Sequence, residues 1–67
     1  MAGFKMTENE KGIVIGMCIA LAHIIREGHT DMAINIINDA GLTVEEIIEA
    51  EVDTYDAMPV IEVIKEK

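Results

Sequence analysis

Residues 12–25 read GIVIGMCIALAHII, fourteen positions without a formal charge, closed by Lys11 on one side and Arg26 on the other. A bilayer-spanning helix needs roughly 17 to 25 such residues, so this run belongs in a protein core or interface rather than in a membrane. A secretory leader fits no better, because Glu8 and Glu10 stand where its basic flank would be. Read as a helix, the run aligns Val14, Met17, Cys18, Leu21, Ile24 and Ile25 along one stripe, an ordinary core face. Its other side is apolar too: Gly12, Gly16 and Ala20 recur at four-residue spacing and are joined by Ile13, Ile19 and His23. A helix apolar all round has to be covered on most sides. Two coverings are open. Either the second or fourth helix of the same chain packs there, or a second copy does so in a homo-oligomer. In that case Gly12, Gly16, Ile19, Ala20 and His23 form the interface and the small residues let the backbones approach closely.

Outward from this run the chain divides by its punctuation. Thr7 and Glu10 have capping-box spacing, and Gly28 can close the helix they open, which predicts a first helix over about 8–27. Thr30 offers a cap with Asp31 in the first turn, and Gly41 a stop, predicting a second helix over about 31–40. Thr43 and Glu46 repeat the capping box. Val44, Ile47 and Ile48 then share a face, so a third helix is expected over about 44–51. Pro59 is read as a break, tolerated only in a first turn, with Asp56 or Met58 capping a fourth helix over about 58–66. Strands at 13–15 or 60–64 would suit the Ile and Val content, but period-two alternation never persists. The expected fold is all-α: one domain spanning residues 1–67, a compact bundle of about four short helices with a long apolar first helix, assembled as an intertwined or packed homo-oligomer. Residues 1–6 are expected to be a flexible N-terminus, and Met6 is a second candidate start.

The whole chain is 67 residues, 51% hydrophobic, with thirteen acidic against five basic residues and a net charge of −8. It has enough apolar material to fold, but chains of this size bury only about 60% of their unfolded surface, so one core is the limit. The negative charge repels phosphate backbones, and with aromatic content at 3% there is little to stack on bases, which argues against direct nucleic-acid binding. There is no serine and one cysteine, hence no serine nucleophile and no internal disulfide, and a reducing cytoplasm is the expected setting.

Candidate chemistry is thin. His23 and Glu27 share a helical face and His29 follows, but zinc needs three or four converging ligands, and the cysteine pair or second histidine one turn away is missing. Cys18 has no CxxC partner, sits on the core stripe, and is five residues from His23, a spacing that does not bring the two side chains together. No twelve-residue loop has the ligand pattern of an EF-hand. Ile37, Gly41, Val44 and Ile47 match the packing positions of a helix-turn-helix, yet its reading helix would carry Glu45, Glu46 and Glu49 toward DNA. No enzyme activity, cofactor or metal is expected. The strongest feature is charge: from Glu27 to Ile64 there are acidic residues and no Lys or Arg. Such a run is either a solvated, solubilising face or a contact surface for a basic site on another protein. In the second reading Glu45, Glu46, Glu49, Asp53 and Asp56 make the contact, with Tyr55 as an aromatic anchor.

The segment 41–67, with GLTVEEIIEA, then VDTYD, then a proline and a short amphipathic helix ending in KEK, resembles small phage and prophage accessory proteins. The resemblance implies a context, since some such proteins block host enzymes or host defence by binding them, and no functional residue is carried over from it. The expected function is therefore that of a non-enzymatic acidic protein acting on another protein in the host cytoplasm as a phage-encoded inhibitor. The alternative is a structural or regulatory oligomer, antitoxin-like or adaptor-like, acting through its apolar helix surface.

Overall fold

A computed structural model describes residues 6–66, and among them the protein is all-helical: α1 (Glu8–Arg26), α2 (Thr30–Ala40), α3 (Val44–Glu49) and α4 (Thr54–Glu66). The expectations for residues 1–5 and for Lys67 lie outside the described residues. Met6, assigned from sequence to a flexible N-terminus, is half-buried against the core. No described helix is long and apolar enough to cross a membrane.

Both capping boxes form. Glu10 N–H donates to Thr7 Oγ1 at 3.1 Å while Thr7 N–H donates to Glu10 Oε1 at 2.9 Å; Thr43 and Glu46 do the same at 3.2 and 3.0 Å. These bonds satisfy helix-start amides that would otherwise have no partner. Three helices end in one device, in which a left-handed residue lets the next amide reach back a full turn. At α1, Gly28 (φ 90°) brings His29 N–H to Ile24 O at 3.0 Å. At α2, Gly41 (φ 69°) brings Leu42 N–H to Ile37 O at 3.2 Å. At α3 the left-handed residue is Glu51 (φ 59°), with Val52 N–H reaching Ile47 O at 3.4 Å, so this helix ends at Glu49, two residues before its expected end. The expected Thr30 cap is not used. The turn after Gly28 is so tight that His29 takes the cap position, without a side-chain bond, and Thr30 is already helical.

The largest departure is α4, which begins four residues before its expected start and runs through Pro59. Asp53 makes this possible by accepting from Tyr55 N–H at 3.1 Å, which caps a helix starting at Thr54. Pro59 has no N–H, so the Tyr55 carbonyl four residues back loses its helical partner. That carbonyl accepts instead from the Arg26 guanidinium at the end of α1. The helix persists through a proline because a side chain from elsewhere replaces the missing donor.

α1 and α4 pack on each other, and each also packs on both α2 and α3. α2 and α3 are not packed together, so the helix-turn-helix pairing suggested by Ile37, Gly41, Val44 and Ile47 does not form; Ile37 and Ile47 serve a common core instead. That core joins Val14, Cys18, Leu21 and Ala22 of α1 to Ala33, Ile37, Leu42, Ile47, Ala50, Ala57, Val60 and Val63. Burying a side chain such as Leu21 or Ile47 contributes about 1.5–3 kcal/mol each, and among the described residues no charged group is buried with them.

Candidate functional site

The half of α1 that faces away from this core is uncovered. Gly12, Gly16, Ile19, Ala20 and His23 are all exposed, as is Ile13 on the flank. At 3.6 residues per turn the first five occupy one arc of roughly 100° opposite the Val14–Cys18–Leu21 stripe. Ile13 and Ile19 retain 55% and 52% of their accessible surface, and a Cβ placed on Gly12 or Gly16 meets nothing within 4 Å. The covering by the chain's own second or fourth helix is thereby excluded: both reach α1 from its core side.

Cys18 lies on that core side and is fully buried. Burial, and secondarily the Asp56 carboxylate, push its thiol up to about 11, which leaves almost no thiolate at neutral pH. His23 and His29 are exposed, and among the described residues no three His, Cys, Asp or Glu side chains come together to hold a metal ion.

The six residues expected to meet a basic partner are divided among different tasks. Glu46 closes the α3 capping box and Asp53 caps α4. Tyr55, 68% exposed, lies under Arg26, whose guanidinium stacks 3.8 Å from the ring centroid, while Asp56 approaches the same guanidinium at 3.9 Å. Arg26 therefore holds α4 by three contacts at once: a backbone hydrogen bond, a cation–π stack and an ion pair. Glu45 and Glu49 remain without an ion pair among the described residues, as does Glu51. The acidic run is thus in good part structural, with carboxylates at the two helix starts where the helix dipole favours them.

A further surface was not read from the sequence. Val44, Ile47 and Ile48 were expected to share one face, but Ile48 is 65% exposed and only Ile47 enters the core. Ile48 forms one wall of an open cleft of about 270 Å³ between α3 and α4, together with Glu51 and Val52; Thr54, Met58 and Ile61 form the other. Met58 is 45% exposed. The signal that could have located it is the early start of α4, which sets Thr54, Met58 and Ile61 on one face at i, i+4 and i+7.

Comparisons of the chain with protein-family models, with curated proteins and with solved structures found no match.

Proposed function

We propose that the chain is a non-enzymatic interaction protein that works by binding other polypeptides, and that the uncovered face of α1 is its contact with a second copy of itself. The observation that carries this reading is the exposed arc of Gly12, Gly16, Ile19, Ala20 and His23, an uncharged strip on an otherwise acidic molecule. Two such strips related by a two-fold axis would lie with their glycines opposed, and the absence of side-chain bulk would let the backbones close on one another. A small domain gains from such a contact the apolar burial that its own length does not provide.

Sedimentation tests it. The wild-type chain should run as a dimer of the 7.4 kDa protomer, and Gly16→Leu should shift it to monomer with the helical circular dichroism unchanged. A wild type that stays monomeric at all accessible concentrations overturns the self-association.

A second reading, contact with a basic site on a host or defence protein by a phage-encoded inhibitor, draws support from the likeness of residues 41–67 to phage accessory proteins. It also draws on the three carboxylates, Glu45, Glu49 and Glu51, that have no ion pair among the described residues. Since Glu46 caps α3, the informative variant is the pair Glu45→Lys and Glu49→Lys. It should keep the fold while weakening capture of a basic partner at least about tenfold, and unchanged capture overturns the reading.

A further inference from the structure

We infer that the cleft between α3 and α4 is a receptor for a basic amphipathic helix of a partner protein. The inference rests on the second reading above, whose basic partner and carboxylates Glu45, Glu49 and Glu51 it shares, and adds the apolar cleft and a helical occupant; it does not depend on self-association. The cleft is lined mainly by apolar side chains, with Glu51 and Thr54 the polar members of its two walls, and three of the apolar groups, Ile48, Met58 and Ile61, retain accessible surface. Exposed large apolar groups on both walls of one cleft are expensive to leave in water and suit the helix-in-groove mode, in which an incoming helix inserts residues spaced i, i+3, i+4 and i+7.

The occupant's charge follows from the rim. Residues 44–64 contain seven carboxylates and no Lys or Arg. Glu46 and Asp53 serve caps and Asp56 faces Arg26, which leaves four: Glu45, Glu49 and Glu51, next to Ile48 on α3 and the turn after it, and Glu62 on α4, with Glu51 itself lining the cleft. A helix with an apolar stripe flanked by Lys or Arg would seat its stripe on Ile48 and Met58 and lay its cations against these carboxylates. A second copy of this chain is a poor occupant, because it would bring the same carboxylates to the same rim.

The test is a titration of the isotope-labelled wild-type chain with a synthetic peptide of about eighteen residues, Leu at helical i, i+3, i+4, i+7 positions and Lys between them. A peptide of identical composition in scrambled order is titrated in parallel. The patterned peptide should bind at least about tenfold more tightly than the scrambled one, with amide shifts centred on Ile48, Glu51, Met58 and Ile61. Ile48→Gln and Met58→Gln, both at exposed positions, should each weaken it at least about fivefold while leaving the circular dichroism unchanged. Equal binding of the two peptides, shifts centred on Ile13 and Ile19, or unchanged affinity in both variants overturns the inference. Groove shifts that depend on protein concentration without peptide assign the cleft to a second copy and overturn it too. Sedimentation of the same samples reports on the α1 contact separately, so failure of one reading is distinguishable from failure of the other.

Discussion

Arg26 and Pro59 should be energetically coupled although they lie on different helices. A proline inside a helix normally costs about 3 kcal/mol through the lost bond and the clash with the carbonyl four residues back. Here the Arg26 guanidinium restores the lost bond at Tyr55 O, stacks on the Tyr55 ring and stands near Asp56. A hydrogen bond to a charged group contributes about 1.5–3 kcal/mol, and the lower end applies because the Arg26 side chain keeps 35% of its accessibility. The exposed cation–π stack adds about 0.5–1 kcal/mol, and the ion pair, at 3.9 Å, little more than about 0.3 kcal/mol. Arg26→Ala should therefore destabilise the fold by about 2.5 kcal/mol, which for a domain of this length lowers the melting temperature by roughly 10–20 °C. In a Pro59→Ala background the backbone amide regained at position 59 supplies the bond, and the same Arg26 truncation should cost only about 1 kcal/mol. Urea unfolding of the four proteins, followed by far-ultraviolet circular dichroism, gives the coupling as their double difference, expected at about 1.5 kcal/mol. A coupling below about 0.3 kcal/mol would refute the idea that Arg26 replaces the proline's missing donor.

Compared at concentrations where both proteins are monomeric, Gly16→Ala should stabilise the fold by about 0.5–1 kcal/mol, since the position is mid-helix and an added Cβ meets nothing; a monomer melting below wild type would contradict this. Glu51→Gly should also stabilise, by about 1 kcal/mol, because a non-glycine residue at φ 59° carries left-handed strain, and the same change should weaken the basic peptide in titration by removing a carboxylate from the cleft. The Cys18 thiol has its ionisation raised in the fold from 9.0 to about 11. The unfolded chain thus loses its proton first, and stability should decline as pH rises through that window, a slope that Cys18→Ala abolishes in pH-dependent urea titrations. Native Cys18 should react slowly with a thiol reagent at neutral pH, and rapid labelling would contradict its burial.

What could be read from the sequence was whatever is decided locally. Thr7 with Glu10 and Thr43 with Glu46 place two helix starts because both partners of each capping box lie within one turn, and Gly28 and Gly41 mark two ends because glycine enters the left-handed region without strain. Glu51 fills the same role at the end of α3 and gives no such sign, since only the packing of Val52 and Ile47 around it makes the strain worthwhile. The start of α4 was hidden for a related reason. Pro59 reads as a break unless the donor that replaces its amide is known, and Arg26 is distant in sequence. The exposure of Ile48 was not legible because three apolar residues sharing a face of a six-residue helix leave its rotation ambiguous by about one position. The acidic run was visible at once, but its division into caps, an Arg26 contact and free carboxylates follows only from where α1 and α4 meet.

The distribution of charge also orders the two proposed contacts. Two chains that each carry −8 repel, and the repulsion is least where they meet along a surface without carboxylates. The arc from Gly12 to His23 comes nearest to that, with carboxylates only beyond its two ends at Glu8 and Glu27, whereas a contact between copies through α3 and α4 would oppose Glu45, Glu49 and Glu51 to their own counterparts. The cleft is for the same reason suited to an unlike, basic partner. Opposite responses to salt follow. Raising ionic strength from about 0.01 to 0.15 M shortens the screening length from about 30 to 8 Å. The residual repulsion between copies is then reduced and dimerisation through α1 strengthens, while attraction between the rim and a cationic helix is reduced and peptide affinity falls. Sedimentation and peptide titration over one salt series measure both. If the two affinities move in the same direction, the assignment of the apolar arc to self-contact and of the acidic cleft to a basic helix is wrong in at least one half.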